Sequence, residues 1–126
     1  MFQSLALFRT SAAMAQYAGD AQAQIARNIA NADTPGYHAE KLTDFAATLH
    51  RTGPIQMKAT RPGHLIASPT VDAVRHVDSG GEAAPNGNTV SLEDELMQSV
   101  AAGGMHKEAL AIYRHTMTVL RSSLGR

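Results

Sequence analysis

The stretch from residue 28 to residue 37 reads Asn28-Ile29-Ala30-Asn31-Ala32-Asp33-Thr34-Pro35-Gly36-Tyr37. Pro35 disfavours helical backbone at the residue before it, so a preceding helix must end here. Pro35 and Gly36 suit the central positions of a type II turn, where glycine supplies the positive φ. We expect Asn31 to cap the helix in the left-handed conformation, and Tyr37 to anchor the chain after the turn. The stretch therefore predicts a helix stop with a defined exit direction.

The residues before this stretch predict a long helix that carries little charge. From about residue 4 to residue 30 there is no proline, and only Arg9, Asp20 and Arg27 are charged. Small and apolar residues occupy two rows, which is more than the single stripe of a surface helix. One row comprises Leu5, Phe8, Ala12, Ala15, Gly19, Gln22, Ala26 and Ile29, and the other Leu7, Met14, Ala18, Ala21 and Ile25. A core helix of a small bundle is one interpretation; sparse charge favours an assembly helix that is buried when subunits join.

A second long helix is predicted from about residue 91 to residue 124. Ser91 and Asp94 resemble the start of a capping box, and acidic residues follow at the positive end of the helix dipole. Apolar residues recur every seven positions and predict a coiled-coil-like seam. Its two rows are Leu96, Gly103, Leu110, Met117, Leu124 and Leu92, Ser99, His106, Tyr113, Leu120. Gly103 and Gly104 predict a kink or a break, since each costs about 1 kcal/mol relative to alanine.

The segment between the helices has a different composition. It contains all five prolines and most of the glycines, with turn signals between short apolar runs. Short extended segments fit this pattern and a substantial sheet does not. We therefore predict a mainly α chain whose terminal helices pair as a coiled-coil-like hairpin. Residues 1–31 form the N-terminal assembly helix, 32–90 a turn-rich, partly flexible middle region, and 91–126 the C-terminal assembly helix.

Composition excludes several classes of protein. The 126 residues have a formal net charge of zero, which argues against a nucleic-acid partner. The absence of cysteine excludes disulfides, thiolate metal sites and cysteine nucleophiles. No apolar run reaches the roughly 20 residues that span a bilayer, so we expect no direct membrane insertion. The first residues lack the basic and apolar regions of a secretory signal peptide, so export, if any, uses a different route.

Enzymatic chemistry is not expected from this sequence. His106 and His115 are nine residues apart and would lie on opposite faces of a helix. The other histidines show no metal-binding spacing, and no phosphate-binding loop or nucleophile elbow occurs. Residues 93–95 are best explained as charges at a helix start. We therefore predict no catalytic residue, no metal site and no cofactor.

Two stretches resemble the bacterial flagellar axial proteins, which comprise rod, hook and hook-associated proteins. The signature of the N-terminal part is carried by Asn28, Ile29, Ala30, Asn31, Asp33, Thr34, Pro35, Gly36 and Tyr37. Residues 87–93, Gly-Asn-Thr-Val-Ser-Leu-Glu, followed by Glu95, resemble the segment that enters the C-terminal helix in the proximal rod members. The short length, without a large inserted domain, points to the basal-body rod proteins. Gly103 and Gly104 depart from the family pattern.

The resemblance implies a structural subunit of the proximal rod, in the periplasmic part of the flagellar basal body. Such subunits polymerise helically through their terminal helices, transmit torque and line the export channel. Implied partners are the chain itself, other rod proteins, the adaptor protein between the MS ring and the rod, and the type III export apparatus during secretion. Export in this family needs no cleaved signal peptide, and isolated subunits tend to have disordered termini.

Two other functions remain as alternatives. A soluble helical-hairpin adaptor forming a small closed oligomer would use the same seam, with a stably folded first helix. A metal-dependent enzyme would need the histidines to converge. For the rod subunit, we expect an antiparallel or near-antiparallel helix pair that neighbouring subunits bury. The expected assembly interface is Phe8, Ala15, Ile25, Ile29, Leu96, Leu110, Tyr113, Met117 and Leu120.

Overall fold

The computed structural model of the chain describes residues 2–51 and 75–125. The elements are helix α1 (Phe2–Ala30), strand β1 (Glu40–Leu42), helix α2 (Phe45–Arg51), strand β2 (His76–Asp78) and helix α3 (Leu92–Ser123). The predicted mainly α fold with long terminal helices is confirmed. Part of the predicted middle region, residues 52–74, lies outside the described residues.

Helices α1 and α3 pair antiparallel, in a single register. Facing residues rise in number on one helix as they fall on the other, in steps of about seven. The facing pairs are Phe8 with Tyr113, Ala15 with His106, Gln22 with Ser99 and Asn28 with Glu95. The coiled-coil-like hairpin is therefore confirmed, and the turn after residue 30 lies next to the start of α3.

On α3, the row of residues at the centre of the seam lies one position before the predicted row that begins at Leu96. The buried residues of α3 are Glu95, Ala102, Ala109 and Thr116, again seven apart. The two predicted rows flank this row, and Leu96 and Leu124 are exposed at 61% and 73%. Alanine at the centre lets the helix axes approach closely, so the larger side chains lie at the edges of the contact or outside it. On α1, the buried residues Ser11, Ala18 and Ile25 are also seven apart, and Phe8, Ala15 and Gln22 of the first predicted row lie beside them in the contact.

Helix α3 runs without a break through Gly103 and Gly104, so the expected break is wrong. Tertiary packing on both sides of the pair outweighs the small propensity cost of two glycines. The Gln22 side chain crosses from α1 here and donates to the Ser99 carbonyl at 3.1 Å. A Cβ at Gly103 would lie 3.5 Å from Gln22 Nε2, whereas one at Gly104 would meet nothing within 4 Å.

A small lateral unit packs beside the helix pair. Strands β1 and β2 form a two-stranded antiparallel sheet, in which Lys41 lies opposite Val77. Short extended segments were predicted; helix α2 was not. Tyr17 of α1 holds this unit, because its hydroxyl donates to the Thr43 carbonyl at 2.9 Å and its ring lies 5.4 Å from that of Phe45. Among the described helices, none is long and apolar enough to cross a membrane.

Candidate functional site

The two sequence stretches that resemble the flagellar family lie against each other. Residues 28–40 run alongside residues 84–95, and together we call them the junction. The Thr89 N–H donates to the Tyr37 carbonyl at 3.0 Å, and the Thr89 hydroxyl oxygen accepts from the Ala39 N–H at 2.8 Å. The two stretches, almost 50 residues apart in sequence at their nearest, therefore form one structural unit at the end of the helix pair.

The turn after α1 has the predicted geometry. The Tyr37 N–H donates to the Thr34 carbonyl at 3.3 Å, which closes a β-turn. Gly36 occupies its third position with a φ of +70°, as a type II turn requires. The turn is held from outside as well, because the Gly36 N–H donates to the Asn86 carbonyl at 3.0 Å.

The predicted left-handed cap at Asn31 is wrong. Among the described residues, only glycines have a positive φ. The last turn of α1 instead tightens, with the Asn31 N–H donating to the Asn28 carbonyl at 3.0 Å. The Asn31 side chain caps in a different way, since its Nδ2 donates to the Arg27 carbonyl at 2.8 Å. The carbonyls of the turn that follows α1 are bonded by a distant part of the chain.

Asn88 supplies these hydrogen bonds from the opposite segment of the junction, residues 84–95. Its Nδ2 lies 2.9, 2.8 and 2.8 Å from the carbonyl oxygens of Asn31, Ala32 and Thr34. Its Oδ1 accepts from the Val90 N–H at 2.7 Å, and the residue is 3% exposed. One side chain thereby joins the turn after α1 to the backbone that leads into α3.

Asn28 is the centre of the junction and is only 1% exposed. Its Nδ2 donates to the Glu40 carbonyl at 2.7 Å and to Glu95 Oε1 at 2.8 Å. Its Oδ1 accepts from Gln24 Nε2 at 3.0 Å and from the Tyr37 hydroxyl at 3.1 Å. This single amide therefore links α1, the turn, β1 and α3. Tyr37 is the predicted anchor, and it acts through its hydroxyl.

Glu95 is the buried acid of the junction, at 3% exposure. Residues 93–95 were predicted as charges at the helix start, and Ser91 does cap α3 by accepting from the Asp94 N–H at 3.4 Å. Glu95 differs because it faces Asn28. Its Oε1 accepts from that amide, but its buried Oε2 has no hydrogen-bond partner among the described residues. Burial chiefly, with the nearby charge of Asp94, raises the pKa of Glu95 above its ordinary value.

An open cleft of about 670 Å³ lies next to this carboxylate, and we call it the acidic cleft. It lies between the start of α3 and the backbone around residues 79–82. Three acidic residues line it, Glu82, Asp94 and Glu95, against one base, Lys41. The Lys41 Nζ is 3.4 Å from the Ser79 carbonyl. The cleft is therefore a surface suited to a cation.

The residues predicted to form the assembly interface fall into two groups. Some lie in or beside the contact between α1 and α3 of one chain, and others face outward. Phe8 and Tyr113 pack edge to face at 5.0 Å between ring centroids. Ile25 is buried, and Ala15, Leu110, Met117 and Leu120 are half-buried. Ile29 and Leu96 are exposed at 37% and 61%.

Sequence reasoning missed the hydrogen-bonding roles of Asn88, Thr89 and Glu95. They belong to the stretch that carries the resemblance, but their partners are 50 or more residues away in the sequence. Asn88 follows a glycine and reads as a turn residue. The one signal was a density of short polar side chains just ahead of a capped helix.

Three of the described histidines, His38, His76 and His106, make weak contacts. His38 lies 3.8 Å from Asp78, and His76 lies 3.7 Å from Glu40, across the exposed face of the β1–β2 pair. His106 Nδ1 is 3.3 Å from the Ala15 carbonyl oxygen. Within residues 2–51 and 75–125, no three potential metal ligands come together.

The fold and the junction define a helical-hairpin protein in which buried polar side chains join the end of α1 and its turn to the start of α3. No family model matches the chain. It is similar to the flagellar basal body rod protein FlgB of Agrobacterium fabrum, with 32% identity over 102 residues, covering 77% of this chain and 76% of that protein. It is 36% identical over 86 residues to FlgB of Salmonella typhimurium, covering 59% and 60% of the two chains. The chain belongs to the FlgB family of flagellar basal body rod proteins, which confirms the resemblance.

Proposed function

We propose that the chain is a structural subunit of the flagellar basal-body rod and polymerises through its two terminal helices. The proposal starts from the family, whose relatives are named as rod proteins. This role implies that the chain associates with other rod proteins. The role is mechanical and needs no cofactor or catalytic residue.

The observation that carries the proposal is the outward face at the start of α3. Leu96, Met97 and Val100 are exposed at 61%, 73% and 78%. Between Glu95 and Lys107 the sequence has no Asp, Glu, Lys or Arg. A contiguous apolar surface of this kind is typical of a contact with another protein. The open space around Gly104 lets a neighbouring helix approach the backbone closely.

The junction suits the chain to carry force. Torque must pass through the subunit without changing the angle between its helices. The buried hydrogen bonds of Asn28 and Asn88 fix that angle at one end, since each bond is satisfied in a single geometry. We therefore assign to the junction the role of holding α1 and α3 in the orientation in which neighbours meet them.

The finer parts of the role rest on the resemblance. In this proposal the terminal helices pack into concentric tubes around the export channel, in the proximal rod. The adaptor protein between the MS ring and the rod contacts the polymer at one end. The type III export apparatus secretes the chain without a cleaved signal peptide. The interface residues named in the sequence analysis remain the expected contacts except for Ile25, which is buried within its own helix pair. Met97 and Val100 are added to them.

Val100→Asp tests the proposal, because the side chain is exposed and its replacement leaves the helix pair intact. In cells that lack their own copy of the gene, we expect this variant to be absent from purified basal bodies and to give no swimming. Circular dichroism of the purified variant should match the unsubstituted chain. Ala83→Asp adds the same charge in an exposed loop and should support swimming. Normal incorporation of Val100→Asp would contradict the proposed surface, and a small closed oligomer in solution would favour the adaptor.

A further inference from the structure

Charge is distributed unevenly along the hairpin of this neutral chain, although Arg27 and Lys41 lie near the junction with its acidic residues. Residues 76–106 contain five acidic residues and no Lys or Arg. Residues 1–19 and 109–126 contain arginines and no acidic residue. We call residues 6–14 of α1 with 109–125 of α3 the open end. Asp94 and Arg121 are separated by about 40 Å of helix, several Debye lengths at physiological salt, so the ends of one copy do not neutralise each other.

Apart from Asp78, which lies 3.8 Å from His38, these charged residues form no ion pair within the described part of the chain. The ion pairs between described residues are those of His38 and His76 on the β1–β2 pair. Arg114 and Arg121 of the open end are exposed. Neither they nor the carboxylates of the acidic cleft take part in these ion pairs. Both ends are thus available to an external group of opposite charge.

The acidic cleft has a second, independent feature that points to a ligand. Glu95 is almost fully buried, lines the cleft and leaves Oε2 without a partner among the described residues. A buried acceptor in this state is costly until a donor reaches it. A guanidinium fits best, because its planar fork of N–H donors can serve two carboxylates at once. Met97, 73% exposed beside the cleft, offers an apolar surface for the stem of an arginine.

We propose that the acidic cleft binds an arginine of the open end of a second copy of this chain, Arg121 foremost, so that copies associate head to tail. The occupant is a second copy because the chain itself carries the complementary end, with arginines and no acid. Such a contact joins unlike surfaces and therefore extends into an open chain of subunits. This inference rests on the proposed rod function and adds to it the surface by which copies meet end to end.

Charge reversal tests the contact on the purified full-length chain by sedimentation velocity at low and high sodium chloride. We expect the unsubstituted chain to associate at low salt and to dissociate at high salt. Asp94→Arg and Arg121→Glu should each weaken association at least about tenfold. The double variant, which exchanges the charges of the two ends, should recover most of it. Lys107→Glu, an exposed mid-helix change, serves as the control and should have little effect.

Cross-linking gives a readout that leaves the charges in place. The chain has no cysteine, so Met97→Cys with Leu124→Cys places one thiol beside each end. Oxidation of the double variant should give a ladder of linked oligomers. Each single variant carries one thiol and can form at most a linked dimer; we expect little of that dimer, because head-to-tail contact does not bring two equal positions together.

The outcomes separate this inference from the proposed function. A chain that stays monomeric at low salt, reversals without effect, or a double variant that fails to recover would each overturn the head-to-tail contact. Loss of incorporation in Val100→Asp would still support the rod function in that case. Conversely, association that follows the charges while Val100→Asp swims normally would support the contact and contradict the proposed apolar surface.

Discussion

The two ends of the helix pair are held together by different kinds of contact. At the junction, buried amides and a buried acid join α1, the turn and α3 through hydrogen bonds. At the open end, every side-chain hydrogen bond of the described residues stays within its own helix. The helices meet there through the Phe8–Tyr113 ring contact and small side chains such as Ala109.

The difference indicates which end sets the structure of the subunit and which end can adapt. A network of buried polar groups tolerates one arrangement, because a shifted partner leaves an unsatisfied group. Small apolar side chains tolerate sliding and separation at lower cost. The junction therefore fixes the relation of the helices, and the open end can reorganise when neighbours arrive. The family tendency toward disordered termini in isolated subunits agrees with this division and stays a prediction for this chain.

Removing the central amide of the junction should have the largest effect. Asn28→Ala leaves the Glu40 carbonyl, the Tyr37 hydroxyl and Glu95 Oε1 without their partner. We expect a loss of about 3 kcal/mol in the free energy of unfolding, measured by urea denaturation. Asn31→Ala is the matched control, since that side chain is less buried and should cost at most about 1 kcal/mol. Equal costs for the two variants would contradict a central role for Asn28.

A substitution at the open end should lower the free energy of unfolding by less, and its effect should stay local. Phe8→Ala removes the ring contact with Tyr113 from a half-buried position, and we expect a loss of about 1.5 kcal/mol. Hydrogen exchange should accelerate in the first turns of α1 and the last turns of α3. Protection around Asn28 and Thr89 should persist. If exchange at the junction accelerated as much as at the open end, the two ends would unfold as one unit and the distinction between them would be wrong.

Local rules of sequence predicted the features that depend on neighbouring residues. The Pro35–Gly36 turn, the Ser91 cap and the existence of two long helices follow from backbone preferences that act within a few residues. The left-handed conformation predicted at Asn31 is wrong because the chain after α1 is held instead by Asn88, more than 50 residues later. No local pattern indicates that a turn asparagine will reach three carbonyls of a distant turn.

The seam shows a second limit of sequence reasoning. Apolar spacing identified the heptad repeat but placed its centre on the large side chains. The centre lies on Ala102 and Ala109, because closely packed helices bury small residues between them. Leu96 thus faces outward, where it belongs to a surface for other chains in the proposed function. Helix α2 was missed because seven residues carry too little periodicity to be distinguished from a loop.

The smallest expected effect concerns the one unsatisfied atom of the junction, and it is a gain. Glu95→Gln keeps an oxygen for Asn28 and removes the buried charge. The pKa of Glu95 is raised in the folded chain, so the unfolded chain loses this proton at a lower pH. The folded state therefore loses stability as pH rises from the unfolded-state pKa through the folded-state pKa. Stability should therefore increase by about 1 kcal/mol at neutral pH in the variant. The gain should vanish below pH 4.5, the ordinary glutamate value, where both side chains are neutral.

Thermal melts of both proteins across this pH range measure the difference directly. Glu93→Gln is the matched control: that acid is exposed at the same helix start and should give no gain. A pH-independent gain in Glu95→Gln would mean that Oε2 costs the fold through packing rather than charge. A loss at neutral pH would mean that the ionised carboxylate is satisfied, and the junction would then be uniformly stabilising. The expected result instead means that the junction stabilises the fold except at one acid, whose charge costs stability in the single chain and which we propose is contacted by a neighbouring subunit.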